Sequence, residues 1–167
     1  MGFGYALSHA LQEDHGSNPF QFDLDYTLLE VSGTWHEFNL SLGWESLEGD
    51  GQVGFVAPLG TLHRFQGWAD KFLATPANGI DDRYASLGVL LKEVIGLNAV
   101  SAMGVYHEFD SERGTIELGS EVDLQLQARW RKFVGTIKYA RYETQANSTP
   151  AAYQDTRKFW VMLEHAL

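Results

Sequence analysis

Apolar residues recur at every second position through most of this chain, the spacing that places them together on one face of a β-strand. Over residues 2–11, Phe3, Tyr5, Leu7, His9 and Leu11 share one face and small Gly4, Ala6, Ser8 and Ala10 the other. A second strand is predicted over 22–33, with Phe22, Leu24, Tyr26 and Leu28 facing one way and Asp23, Asp25 and Thr27 the other. The third, 38–47, alternates cleanly, Phe38, Leu40, Leu42 and Trp44 against Asn39, Ser41, Gly43 and Glu45. Residues 83–91 and 98–108 read as strands with ambiguous faces, and 93–97 between them reads equally as a turn of helix. The sixth strand is the clearest: Val122, Leu124, Leu126, Ala128 and Trp130 alternate with Glu121, Asp123, Gln125, Gln127 and Arg129. Residues 133–143 and 157–167 complete a set of eight.

Connection lengths add more than alternation does. Those after the first, third, fifth and seventh strands are long and polar, and those after the second, fourth and sixth are short. Outer-membrane barrels have this asymmetry, and each strand has about the 9–11 residues that a tilted crossing needs. The expected fold is therefore all-β: an antiparallel up-and-down transmembrane β-barrel of about eight strands, either a closed small barrel or part of a larger one, in a single domain spanning 1–167. The connection at about 48–82 exceeds the ~12–15 residues beyond which a loop is usually functional or disordered. Phe65, Trp68 and Phe72 make it too apolar for a disordered linker. It is expected to be ordered and to fold over a barrel mouth as a gate or cap, with Arg64, Trp68, Asp70 and Lys71 as its working residues.

If the apolar faces meet lipid, the polar faces line a water-filled interior, because charges survive away from bulk water only when hydrated or paired. The pore-lining candidates are Asp23, Asp25, Asn39, Glu45, Asp123, Gln125, Gln127, Arg129, Lys138 and Lys158, with Ser41 and Glu164 beside them. Acids in this set are at least as numerous as bases. Trp35, Trp130 and Phe133 at short turns, and Trp44, Tyr106 and Tyr142 near the long loops, read as two aromatic girdles. The alternative is a soluble or small membrane eight-stranded barrel acting as a ligand-binding or surface-interaction protein, in the membrane case through its long loops. Gly33-Thr34-Trp35 is similar to the Gly-x-Trp of lipocalins, a reading that would turn Phe22, Leu24, Leu40 and Leu124 inward around an apolar ligand.

The formal net charge of −10 argues against nucleic-acid binding and against a polybasic membrane-surface patch. Without cysteine there is neither a disulfide framework nor a thiolate metal site. The six histidines are scattered without metal-ligand spacing, and His107-Glu108-Phe109-Asp110 reads as a solvated strand end. Nothing distinguishes Asp23 from Asp25 as acid and nucleophile, and no phosphate loop or nucleophile elbow is present. Neither an enzyme nor a cofactor is expected. Met1-Gly2-Phe3-Gly4-Tyr5 lacks the basic start and apolar core of a secretory signal, so the chain is expected to be a mature or truncated piece.

One stretch carries a likeness. Thr61-Leu62-His63, Gly67-Trp68-Ala69-Asp70-Lys71-Phe72-Leu73, Thr75-Pro76, Asn78-Gly79 and Asp82 together resemble the alginate-export family of outer-membrane porins. So do Tyr5-Ala6-Leu7-Ser8-His9 through Asp14-His15-Gly16, and Lys158-Phe159-Trp160; Leu167 departs from the aromatic that usually ends that family. Only the C-terminal part of a family member would be covered. The resemblance implies a Gram-negative outer membrane, lipid as surroundings, and passive transport of an anionic polysaccharide or small solutes. Eight strands closed on themselves leave an interior filled by side chains, so polysaccharide passage would require further strands or a second copy paired at the open edges.

Overall fold

The computed structural model describes residues 1–16, 18–57, 65–114, 116–145 and 153–166. Eight strands follow one another: β1 (Gly2–Glu13), β2 (Asp23–Trp35), β3 (Phe38–Leu47), β4 (Ile80–Val94), β5 (Leu97–Asp110), β6 (Glu117–Trp130), β7 (Phe133–Thr144) and β8 (Thr156–His165). They form one antiparallel sheet in which each strand pairs with its sequence neighbours. Among the described residues β1 and β8 keep one unpaired edge each, so the sheet is open. The all-β up-and-down order is as the alternation predicts.

Two-residue turns close the hairpins at one end, at His36-Glu37, Ile95-Gly96 and Arg131-Lys132. Each begins with a residue at positive φ, the twist that a tight hairpin needs. Residues 93–97 are thus hairpin and not helix. Here even β-branched Ile95 adopts φ 55, because Gly96 follows at φ 77 and the pair must turn the chain within two residues. The longer connections gather at the opposite end.

Register assigns the faces, since directly paired residues point the same way. The outer face holds Phe3, Tyr5 and Leu7 against Gly33, Val31 and Leu29, then Leu40 against Leu87, and Leu126 and Leu124 against Ala102 and Gly104. It ends with Tyr139, Ile137 and Gly135 against Phe159, Val161 and Leu163. These side chains form a continuous exposed apolar surface; Leu40 and Leu124 are each 49% accessible. Both therefore face away from the side on which a lipocalin would hold its ligand.

Near the long connections the polarity reverses. There the inner face is apolar, with Leu24, Leu47, Ile80, Phe109 and Tyr142 packed around Phe55, Trp68 and Phe72 of the long loop. The outer face at that level is charged, with Asp25 on β2, Asp81 and Arg83 on β4, Glu108 on β5 and Arg141 on β7. Most strands thus change hydrophobic phase part-way along. In β2 the change falls between buried Leu28 and exposed Leu29. Phase read from the upper half of β2 places Asp23 and Asp25 inside; their partners Glu13 and Leu11 put them outside. Tyr142 is likewise corrected from a girdle residue to a fully buried one on the inner face.

Candidate functional site

The site is where the long loop seats on the inner face. Its first arm, residues 48–57, is a small hairpin bridged between Gly49 and Gly54. The Asp50 carboxylate accepts the N–H groups of Val53 (2.8 Å) and Gln52 (2.7 Å), which hold its pKa below the usual carboxylate range. Side chains at Gly49 and Gly54 would collide with the backbone of residues 75–79, so glycine lets this arm lie flat on the loop's return. Phe55 then packs against Tyr26, with ring centroids 5.7 Å apart.

The second arm descends onto the sheet. Gln66, Gly67 and Asp70 all have positive φ. These turns aim two successive N–H groups downward, a small nest for negative oxygen. Trp68 N–H donates to Asp123 Oδ2 (3.2 Å) and Ala69 N–H to Glu121 Oε1 (2.6 Å), both acceptors on β6. Gln66 Nε2 donates to Glu45 Oε2 on β3 (3.2 Å), whose Oε1 accepts the Tyr26 hydroxyl (2.9 Å). Lys158 Nζ on β8 donates to Asp70 Oδ2 (2.7 Å), and Lys138 on β7 lies 4.8 Å from the Trp68 ring centroid. Phe72 meets Phe109 of β5 at 4.8 Å and Tyr142 of β7 at 6.0 Å. One short segment therefore touches five strands from β3 to β8, which requires the sheet to curl around it.

Beneath the loop lies a compact set of buried polar groups. His107 Nδ1 is 2.9 Å from both oxygens of Asp82, and since a carboxylate only accepts, that nitrogen carries the hydrogen. His107 Nε2 is 3.8 Å from Asp123 Oδ2, and the imidazole stacks on Phe109 at 5.5 Å. Among the described residues Glu121 Oε2 and Asp123 Oδ1 are buried without a hydrogen-bond partner. Lys71 sits above Tyr142, 5.4 Å from the ring centroid, and its pKa is pushed below the ordinary lysine range by burial first and by the Lys158 ammonium second. Among the described residues no group of three or more His, Asp or Glu is placed to hold a metal ion.

Of the pore-lining candidates, Asn39, Glu45, Asp123, Gln125, Gln127, Arg129, Lys138 and Lys158 all lie on the inner face. They do not form one site. Glu45 and Asp123 are sealed beneath the loop. Asn39 and Gln125 instead border an open trough of about 710 Å³ toward the short turns, together with Thr34, Gly88, Ser101 and Met103. Trp68, Asp70 and Lys71 take part in the loop's seat, and Arg64 lies outside the described residues. Sequence reasoning missed the buried His107, which is not a solvated strand-end residue, and its partner Asp82. The available signal was that His107 and Phe109 share a face, so whatever buries one buries the other. No protein-family model, curated protein or solved structure matches this chain.

Proposed function

We propose that the chain forms wall of an outer-membrane β-barrel whose long loop narrows the interior, and that the barrel passes polar solutes by diffusion. The observation that carries this reading is the outer face. Exposed apolar patches on soluble monomers rarely exceed a few hundred Å², whereas here aromatic and aliphatic side chains cover the middle of all eight strands. From Val122 to Trp130 the apolar side of β6 rises about 27 Å at ~3.4 Å per residue. Tilted by about 40°, that gives a band of roughly 20 Å, near the ~25 Å of such barrels. Trp35, Trp130 and Phe133 border it at the short turns, all of them exposed, and the charged outer positions border it at the other end. A spanning sheet must pair every backbone group, so the bare edges of β1 and β8 acquire partners in the membrane.

The inner wall suggests which solutes pass. Counting residues by sequence, acids there outnumber bases. Burial changes that balance, because Glu45, Asp82, Glu121 and Asp123 are sealed under the loop, while Lys158 keeps 34% side-chain accessibility. Arg129 is exposed and Lys138 half-buried on this face, which also carries Glu164 and Glu30, the latter accepting the Tyr84 hydroxyl. Beside the loop the wall of β6–β8 carries Lys138 and Lys158, and toward the short turns Arg129, between amides and hydroxyls, which suits anionic or sugar-like solutes, in keeping with the alginate-export resemblance.

Size-exclusion chromatography with and without detergent, followed by planar-bilayer recording, tests this. The reading expects a monodisperse species in detergent only, and conductance that rises when Trp68→Ala loosens the loop. A sharp monomer in plain buffer, or the absence of conductance in both proteins, refutes it.

A further inference from the structure

The outer rim above the apolar band carries arginines in unlike settings. Arg83 stands directly across the β4–β5 pair from Glu108 and forms an ion pair with Asp110. Arg141 and Arg157 instead stand directly opposite each other on β7 and β8, one outward step above Tyr139 and Phe159. Like charges placed this way have Cβ atoms only ~4.5–5.5 Å apart and destabilise a strand pair. Arg141 is answered by Glu143 of its own strand and remains 45% accessible. Arg157 has no ion-pair partner among the described residues.

Arg141 and Arg157 both line a concavity of about 380 Å³, together with Tyr142, Glu143, Asp155 and Thr156. Of its acids, Glu143 pairs with Arg141, while Asp155 accepts the N–H of Thr144 at Oδ1 (3.0 Å), keeps its charge and makes no ion pair with either arginine among the described residues. An anion with several acceptor oxygens would remove the repulsion, and the planar forks of two arginines match phosphate best. The residues that follow on the same outer face of β7 and β8 suggest what bears that phosphate. Tyr139, Ile137, Phe159 and Val161 run from the two arginines down the outer face, an apolar strip on which acyl chains can lie.

We propose that Arg141 and Arg157 bind the phosphate of a lipid headgroup, with its chains along this strip. The inference rests on the membrane reading above. Dihexanoyl phosphatidic acid is a suitable probe because it stays soluble, so its binding can be titrated with the protein in detergent or in plain buffer. A failure of the membrane reading is thereby seen separately, in the chromatography. The wild type should bind this lipid about tenfold more tightly than dihexanoyl phosphatidylcholine, whose choline shields the phosphate. The R141Q/R157Q variant should lose that preference and R83Q should keep it. Preference retained in R141Q/R157Q overturns the site. So does displacement of the lipid by an equal concentration of inorganic phosphate, which would mean that the acyl chains contribute nothing.

Discussion

At Gly67 the whole arrangement depends on one missing side chain. A Cβ there would lie 2.6 Å from the Glu121 carboxyl carbon, and the backbone has φ +76, a region that costs other residues about 1–2 kcal/mol. Gly67→Ala should therefore lift the second arm and break the Ala69 N–H bond to Glu121. Hydrogen exchange at the Trp68 and Ala69 amides should accelerate by at least tenfold while amides in mid-β6 keep their protection. Unchanged exchange at those two amides would mean that the nest does not hold the loop. Sequence alone placed Gly67 in an ordered loop but could not reveal its neighbour, because Glu121 is 54 positions away and is brought there only by the curl of the sheet. For the same reason Glu121 and Asp123 read as members of a wet polar face. Their alternation was right, but their surroundings were set by a loop whose landing point no local pattern encodes.

Alternation assumes that a strand has one environment per face along its full length, and these strands have two. β3 and β6 were read correctly because most of their length lies below the loop, so the outward phase of Leu40 and Leu124 dominates. In β2 the apolar phase of Leu24, Tyr26 and Leu28 is set by the buried inner side, where Leu24 and Tyr26 join the loop's core, and this phase sends Asp23 and Asp25 to the wrong side. The adjacent apolar pair Leu28-Leu29 is the visible mark of the change, a break in alternation that no bulge explains. In the proposed membrane setting the two leucine environments can be told apart by charge. Leu124→Arg, in mid-band, should destabilise the vesicle-inserted protein by roughly 2–4 kcal/mol, whereas on a surface facing water it should cost under about 0.5 kcal/mol. Leu28→Arg should be costly in either setting, because Leu28 is only 6% accessible and packs on the inner side. Equilibrium unfolding in guanidinium separates these cases, and a harmless Leu124→Arg would remove lipid from the outer face.

For the whole molecule, the account is that one sheet serves two solvents. Its outer face is apolar through the middle and charged at the long-loop rim, while its inner face is buried under the loop, where an apolar cluster surrounds a compact polar one, and is open and polar in the trough. An ordinary soluble sheet buries one face and wets the other; this one exposes more large apolar side chains on its outer face than it buries beneath the loop. The most direct measurement uses the absence of native cysteine. Single cysteines introduced at successive positions from Val122 to Arg129, labelled with a polarity-sensitive fluorophore in lipid vesicles, read both faces of β6 in one series. The account predicts strict alternation: labels at 122, 124, 126 and 128 blue-shifted and quenched by lipid-borne bromine, those at 125, 127 and 129 quenched by aqueous iodide, and that at 123 protected from both beneath the loop. Equal iodide access at 124 and 125 would contradict it.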